Sequence, residues 1–377
     1  MKAKRKIVFL TGTRADFGKL KSLIKITQKS PRFDVQIFVT GMHLDKKYGS
    51  TVNEVYKGGF KNIYTFKNYA GAEFMDRTLA KTITGFSEFL EKNKPDLVVV
   101  HGDRVEALAG AIVGSLNNTL VAHIEGGEIS GTIDELIRHS VSKLSHIHLV
   151  ANEGAKKRLI QMGELPNSVY IIGSPDLDLM NPAFLPTLKM VKEYYEIPFK
   201  NYAIALYHPV TTEYDRIKTH IKIFVDSLID SGKKYVVIYP NNDLGTEEIL
   251  EEYKRLENNS SFKIFPSIRF EYFLKLLKEA QFIIGNSSAG IREAPCYSVP
   301  TIDIGTRQNN RHKANSIYNV THNTKELLNT IEIVLKEKRV TIMNSQFGEG
   351  VSNHLFLDLL NSENIWQVNC QKQFQDL

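Results

Sequence analysis

Acidic residues follow two neighbouring apolar segments of the chain, at the point where each segment ends. Asp103 comes shortly after the run 97–100, and Glu125 comes directly after the run 120–124. A helical crossover of about 15 residues would join the two runs, so they are expected to be parallel strands whose carboxyl ends share one sheet edge. Two carboxylates at such an edge push their pKa values apart, and acid–base catalysis requires that difference.

A third acid, Asp134, follows within the segment 132–135, Thr-Ile-Asp-Glu. Thr132 and Glu135 also have the spacing of a helix capping box, in which case Asp134 would only favour the start of a helix. Glycines stand beside the first two acids, and the three carboxylates taken together favour a catalytic site.

The segment 11–19, Thr-Gly-Thr-Arg-Ala-Asp-Phe-Gly-Lys, has the composition of an anion-binding turn between a strand and a helix. Its glycines would let backbone N–H groups approach an anion at the helix start, with Arg14 and Lys19 close by. The spacing fits neither a Walker A motif nor a GxGxxG motif. A tight turn with two exposed cations remains an alternative interpretation.

The second half of the chain offers two further anion sites and a histidine. The segment 285–290, Gly-Asn-Ser-Ser-Ala-Gly, places glycines and hydroxyls at a predicted helix start, and Arg307 follows another predicted strand. Orphan N–H groups and a guanidinium both bind phosphate, so the pair fits a pyrophosphate better than a carboxylate. His208 also ends a strand, where Pro209 restricts its backbone.

Short apolar runs alternate with longer periodic segments, which predicts parallel α/β sheets covered on both faces. This strand–helix alternation is interrupted around Pro175, Pro182 and Pro186 and then starts again, so we predict two domains joined by a hinge. The first domain is placed at 1–174, with a C-terminal helix at about 355–377 packing back on it, and the second at 175–354. The predicted strands are 7–10, 35–39, 97–100, 120–124 and 148–151, then 202–206, 235–239, 262–265, 282–284 and 301–304.

The composition excludes several classes of protein. With 377 residues, 42% of them hydrophobic and 24% charged, the chain is long enough for two folded domains and unlike a disordered protein. Its apolar runs are too short for a membrane helix or a signal peptide, and its two cysteines form no disulfide framework or zinc site. The net charge of +6 is spread without a basic block, so no nucleic-acid partner is predicted. We expect a cytoplasmic protein without a metal or cofactor.

These segments together resemble the hydrolysing UDP-N-acetylglucosamine 2-epimerases of sialic acid synthesis. The resemblance runs in the family's order over most of the chain, from about residue 6 to residue 350. It rests on 11–19, Gly41-Met-His-Leu44, His101-Gly-Asp-Arg104, His123-Ile-Glu-Gly-Gly-Glu128, 130–135, Arg138-His139, His208-Pro-Val-Thr-Thr212, 285–288, Gly290-Ile-Arg-Glu293 and Gly305-Thr-Arg307.

The resemblance implies a GT-B fold, in which two Rossmann-like domains with parallel sheets face a central cleft. It implies that UDP-N-acetylglucosamine is the substrate and that the product is N-acetylmannosamine. The catalytic residues carried over are Asp103, Glu125, Asp134 and His208. The substrate-binding residues carried over are Arg14, Lys19, His43, Arg104, His123, Ser287, Ser288, Glu293 and Arg307.

Several alternatives stay open at this stage. A sister group isomerises the same substrate without hydrolysis, but the sequences Glu-Gly-Gly-Glu and Asn-Ser-Ser favour the hydrolysing branch. Other hydrolysing relatives act on UDP-diacetylbacillosamine or on a GDP-linked sugar in legionaminic acid synthesis. A GT-B glycosyltransferase and a non-catalytic nucleotide-sugar sensor are more distant alternative functions. Similar enzymes are homodimers or homotetramers, so a homo-oligomer is expected on resemblance alone.

Overall fold

The computed structural model describes residues 4–68, 74–130, 132–180, 185–309, 314–337, 347–373 and 375–376. The chain divides into two compact units. Unit 1 comprises Met1–Glu128, Asp134–Asn181 and Ser345–Leu377, and unit 2 comprises Ile129–Ile133 and Pro182–Asn344. The chain therefore leaves unit 1 a few residues after the predicted boundary at 174/175, near Pro182, a hinge proline that lies outside the described residues.

Unit 1 is built on a seven-stranded parallel sheet with the order β3-β2-β1-β4-β5-β6-β7. Its strands are β1 (Arg5–Thr11), β2 (Phe33–Val39), β3 (Ile63–Thr65), β4 (Leu97–His101), β5 (Leu120–Ile124), β6 (Ile147–Val150) and β7 (Val169–Ile171). Its helices are α1 (Arg14–Lys29), α2 (Val52–Lys57), α3 (Met75–Asn93), α4 (Val105–Leu116), α5 (Ile133–Leu144), α6 (Glu153–Gln161) and α7 (Leu177–Met180), and α15 (Ser352–Asn361) returns from the end of the chain.

Unit 2 is built on a six-stranded parallel sheet with the order β10-β9-β8-β11-β12-β13. Its strands are β8 (Ala203–Leu206), β9 (Tyr235–Ile238), β10 (Phe262–Phe265), β11 (Ile283–Gly285), β12 (Thr301–Ile304) and β13 (Ile317–Val320). Its helices are α8 (Leu188–Tyr194), α9 (Ile217–Asp230), α10 (Thr246–Tyr253), α11 (Phe270–Glu279), α12 (Ser288–Ile291), α13 (Glu293–Cys296) and α14 (Thr324–Lys336).

All ten strands predicted from apolar runs are present, and the three that the sequence did not predict are edge strands. These are β3, β7 and β13, which lie at the ends of the two sheets. Each is short and partly exposed, so none shows the continuous apolar run of a strand buried on both faces. The central strands β4 and β5 are buried at every residue.

The C-terminal segment completes the core of unit 1. Phe356 of α15 is fully buried, and its ring meets the ring of Phe9 in β1 at 6.1 Å between centroids. The buried carboxylate of Asp178 accepts the N–H groups of Ser352 and Asn353 at 2.8 and 2.9 Å, which caps the start of α15. The helix ends at Asn361, so the helical part is shorter than the predicted 355–377.

The predicted fold class, an α/β protein with two Rossmann-like domains that each hold a parallel sheet, is confirmed. In the part of the chain that the structure describes, no helix has the length and apolar character needed to cross a membrane.

Candidate active site

Asp103 and Glu125 lie at the carboxyl ends of adjacent parallel strands, β4 and β5. The two strands are paired in register up to His101 and Ile124, and the Gly102 N–H donates to the Ile124 carbonyl at 2.9 Å. Glu125 has φ +72, a left-handed conformation that costs a residue with a Cβ atom about 1–2 kcal/mol. Such strain concentrates at functional positions because only the surrounding structure maintains it.

Arg138 of α5 occupies the centre of the acidic cluster. Its side chain is fully buried, its Nη2 pairs with the Asp103 carboxylate, and its Nη1 donates to the Glu128 carbonyl at 3.3 Å. Burial by itself lowers the pKa of this guanidinium, but the carboxylates of Asp103, Glu125, Glu128 and Asp134 outweigh burial and raise it. One buried cation therefore faces four acids, including the three that the sequence selected.

Two more nitrogen groups surround the Glu125 carboxylate. Lys19 of α1 places Nζ 3.3 Å from Glu125 Oε2 and 4.0 Å from the buried Asp176 carboxylate. His101 places Nε2 3.0 Å from the same Glu125 oxygen. Both Lys19 and His101 are largely buried, so the carboxylate is held within a protein environment and not in bulk water.

The turn after β1 differs from the predicted anion cradle. The Asp16 carboxylate accepts the N–H groups of Gly12 and Thr13 at 2.9 and 3.0 Å and the Thr11 hydroxyl at 2.6 Å. The N–H groups of Gly12 and Thr13, which the sequence predicts to face an anion, thus bond to Asp16 inside the turn. These two N–H groups therefore do not face an anion in this structure.

Two predicted arginines of unit 1 already pair with carboxylates. Arg14, at the start of α1, places Nη2 2.5 Å from Glu54 Oε1, and both side chains are mostly buried. Arg104, which precedes α4, places Nε 3.5 Å from the buried Glu106. These pairs orient both guanidinium groups.

His43 and His123 are fully buried, so neither imidazole is exposed to a ligand in this structure. The two ring nitrogens of His43 lie 2.7 and 3.0 Å from threonine hydroxyls, and those of His123 lie 3.0 Å from the Ser142 hydroxyl and 2.8 Å from the Gly102 carbonyl. Burial lowers the pKa of His43 to about 4 and that of His123 to about 3. The sequence predicts both as substrate contacts, and this stays a prediction; in this structure both rings bond to neighbouring groups of unit 1.

In unit 2, Asn286 connects the predicted anion-binding residues. Its side-chain carbonyl accepts the His208 N–H at 2.6 Å, and its amide group donates to the His208 carbonyl at 2.8 Å. Its backbone carbonyl accepts from Arg307 Nη1 at 3.2 Å and from Gln308 Nε2 at 2.8 Å. Asn286 is 1% exposed, so it holds His208 and Arg307 from inside the unit.

The His208 ring and the 285–290 turn are fixed by their neighbours. The Asn241 N–H donates to His208 Nδ1 at 3.1 Å, which leaves the proton of the neutral ring on Nε2. A side chain at Gly285, where φ is +141, would lie 2.0 Å from the Leu206 carbonyl oxygen, so only glycine lets β11 approach β8 there.

The remaining predicted residues of unit 2 lie around α12. The Ser287 hydroxyl accepts the Ala289 N–H at 3.3 Å as the N-cap of this helix, and Ser288 is its first residue. Glu293 begins α13 and is 3% exposed. The structure thus brings Asp103, Glu125, Asp134 and Lys19 together in unit 1 and His208, Arg307 and the 285–290 turn together in unit 2.

Sequence reasoning missed three residues that organise these clusters: Arg138, His101 and Asn286. All three stand inside the motifs that carried the family resemblance, yet nothing in the residue types marks them as buried. Among the described residues, no group of three or more His, Cys, Asp or Glu side chains could hold a metal ion.

Comparison with known proteins shows the family of this chain. A family model described as UDP-N-acetylglucosamine 2-epimerase matches residues 25–361. The UDP-N-acetylglucosamine 2-epimerase of Neisseria meningitidis serogroup B is 49% identical over 99% of both chains. The UDP-N,N'-diacetylbacillosamine 2-epimerase (hydrolyzing) of Legionella pneumophila is 34% identical over 94% of this chain and 95% of its own.

The fold has a close structural counterpart. The crystal structure of the Methanocaldococcus jannaschii UDP-GlcNAc 2-epimerase in complex with UDP-GlcNAc and UDP superposes with a TM-score of 0.80 at 24% identity, over 94% of this chain and 99% of that one. This chain belongs to the UDP-N-acetylglucosamine 2-epimerase family, as its motifs predicted.

Proposed function

We propose that this protein is a hydrolysing 2-epimerase, which converts UDP-N-acetylglucosamine and water to N-acetylmannosamine and UDP for sialic acid biosynthesis. The observation that carries the proposal is the group of carboxylates around buried Arg138 at the edge of the unit 1 sheet. Family membership and the 49% identical Neisseria epimerase support the substrate, and the hydrolysing Legionella relative supports the use of water.

The first step is an elimination. A carboxylate, Asp103 or Glu125, accepts the proton from C2 of the sugar, and the electrons of that C–H bond form the C1–C2 double bond. The C1–O bond to the diphosphate breaks with both its electrons, which yields 2-acetamidoglucal and UDP. Arg307, the His208 Nε2–H and the 285–290 turn are assigned to the diphosphate, whose leaving charge needs fixed donors.

The second step is a hydration. Water adds its hydroxyl to C1 of the glucal, and a proton returns to C2 on the face opposite to the one that lost it. The product is therefore the manno epimer. Removal and return on opposite faces require two separate groups, which Asp103, Glu125 and Asp134 can provide.

The second candidate is the same chemistry on UDP-diacetylbacillosamine or a GDP-linked sugar. The 34% identical Legionella enzyme favours it, because the two chains match over almost their whole lengths. The non-hydrolysing reaction on UDP-N-acetylglucosamine is a third candidate within the family.

The direct test is proton and phosphorus NMR of the protein with UDP-N-acetylglucosamine in D2O. We expect free UDP and N-acetylmannosamine with deuterium at C2, because the returned proton comes from solvent. UDP-N-acetylmannosamine without free UDP would assign the chain to the non-hydrolysing branch. With no turnover at all, the named substrate is wrong, and the diacetylated and GDP-linked sugars are tested next.

Asn286→Asp is expected to weaken UDP binding by about tenfold or more. The aspartate keeps an acceptor for the His208 N–H but places a carboxylate oxygen against the His208 carbonyl, where a donor is needed, and adds negative charge beside the diphosphate groups. Isothermal titration with UDP measures the loss. Asn258→Asp, at an exposed position of unit 2, is the control. Unchanged affinity would show that Asn286 does not position the diphosphate-binding residues.

We also propose a cytoplasmic homodimer or homotetramer. The family resemblance supports this proposal, and the large exposed apolar side chains of unit 1, Leu116 at 76%, Leu136 at 63% and Phe74 at 61%, are the contacts we propose. Light scattering on the purified protein measures the assembly.

A further inference from the structure

Lys372, near the C-terminus, caps the C-terminal end of α5, the helix that carries Asp134 and Arg138. Lys372 Nζ donates to the carbonyls of Ser142, Lys143 and Ser145 at 3.1, 2.8 and 2.6 Å. Ser142 and Lys143 belong to the last turn of the helix, where carbonyl groups lack partners within the helix. A lysine at this position satisfies several carbonyls at once and complements the helix dipole.

Lys372 is itself held by a buried ionic cluster. Its Nζ lies 2.5 Å from Oε2 of Glu164, whose side chain is 1% exposed. His148 Nε2 lies 2.9 Å from the same carboxylate, and Lys143 Nζ lies 3.3 Å from it. Burial by itself raises the pKa of Glu164, but its bonds to His148 and Lys372 outweigh burial and lower it, so the carboxylate is ionised. Buried clusters of this kind add little net stability, but they fix geometry.

A continuous hydrogen-bonded path leads from this helix end to the Asp103 turn. Neutral His123 accepts the Ser142 hydroxyl at Nδ1, 3.0 Å away, and donates from Nε2 to the Gly102 carbonyl at 2.8 Å. Gly102 directly precedes Asp103. Arg138, one turn before Ser142 on the same helix, pairs with Asp103. Helix α5 thus contacts the Asp103 turn at two points, directly through Arg138 and by way of His123 through Ser142. Lys372 bonds to the carbonyl of Ser142, beside the second contact.

We propose that Lys372 is a positioning residue for the reaction, because it fixes α5 along its axis and thereby sets Arg138 and Asp134 against Asp103. This inference rests on the proposed function for its readout. A displacement of about 1 Å at a catalytic group is enough to cost on the order of a hundredfold in rate. A lysine near the end of the chain, 230 residues from Ser142, therefore belongs to the machinery of the site.

The test compares Lys372→Met with Lys143→Met. Both remove an ammonium group from Glu164, but Lys372 also donates to the three carbonyls at the end of α5, whereas Lys143 donates to the Met162 carbonyl. We expect Lys372→Met to lower kcat by about tenfold, within the range for a misplaced catalytic group, with KM nearly unchanged. Lys143→Met should keep kcat within about twofold. Lys372→Arg should restore part of the activity, because an arginine can also donate to the last carbonyls of a helix. Thermal unfolding confirms that each variant is folded at the assay temperature.

Ser142→Ala provides a second, milder probe, because it removes only the hydroxyl that joins α5 to His123. We expect several-fold lower kcat, and less than additive loss when it is combined with Lys372→Met, since both act through one path. Should Lys372→Met not fold, the Ser142→Ala result decides alone. A folded Lys372→Met enzyme with wild-type kcat, or wild-type kcat in Ser142→Ala, overturns the inference. A wild-type protein that turns over no nucleotide sugar refutes the proposed function instead.

Discussion

Replacing Arg138 with leucine is expected to lower the free energy of unfolding of unit 1 by about 3–5 kcal/mol, the range for breaking a buried ion pair from one side. The substitution removes a cation that faces Asp103, Glu125, Glu128 and Asp134 and leaves their mutual repulsion uncompensated. It also leaves the Glu128 carbonyl without the donor Nη1. Activity should be lost as well, because the Asp103 carboxylate is no longer oriented by its ion pair with Arg138.

Urea unfolding followed by tryptophan fluorescence measures the free energy of unfolding of unit 1. The chain has a single tryptophan, Trp366, which packs on Phe33 and Arg5 in unit 1. Arg32→Leu is the matched control, because this half-exposed arginine pairs with Glu363 at the surface and should cost at most about 1 kcal/mol. An Arg138→Leu protein as stable as the Arg32→Leu control would contradict the view that Arg138 holds the acidic cluster together.

Asp103→Asn and Glu125→Gln are each expected to lower kcat by about 10²–10⁴-fold, the usual contribution of a general acid or base. Both amides keep the shape of the side chain but cannot accept or return the C2 proton. UDP affinity should change little, because the groups assigned to the diphosphate lie in unit 2. Steady-state release of UDP measures kcat, and titration with UDP measures binding.

The two variants also separate the two steps. A variant that lacks the C2 base should release no UDP, whereas one that lacks a group for hydration should release UDP and accumulate 2-acetamidoglucal. Asp358→Asn, at an exposed position of α15, is the control and should match the wild type. If both acid variants kept a tenth or more of the wild-type kcat, the acids would not be the proton-transfer groups. Intact binding without turnover in the wild type would favour a nucleotide-sugar sensor.

Much of the fold could be predicted because its signals are local. A strand buried on both faces is mostly apolar, and the ten apolar runs of the sequence are strands in the structure. Three of the four edge strands, β3, β7 and β13, were not predicted, because a partly exposed strand needs no apolar run. The fourth, β10, is also partly exposed but keeps three apolar residues out of four, Phe-Lys-Ile-Phe. In the turn after β1, two of the N–H groups expected to face an anion bond to Asp16 instead. Asp16 stands three residues after Thr13, the spacing of a helix capping box, and the interpretation of the segment did not use that spacing.

The sequence by itself determined the parallel α/β architecture and the positions of Asp103 and Glu125 at strand ends, since apolar runs and their spacing along the chain specify both. Tertiary structure decided which polar groups are buried together. Nothing in the sequence shows that Arg138 is buried, but α5 packs its guanidinium among the acids. The burial of His43 and His123 is likewise visible only in the structure. Lys372 is the most extreme case, because its bonding partner Ser142 lies 230 residues earlier in the chain. Which polar groups are buried and paired depends on the packing of residues far apart in sequence, and the sequence alone does not show it.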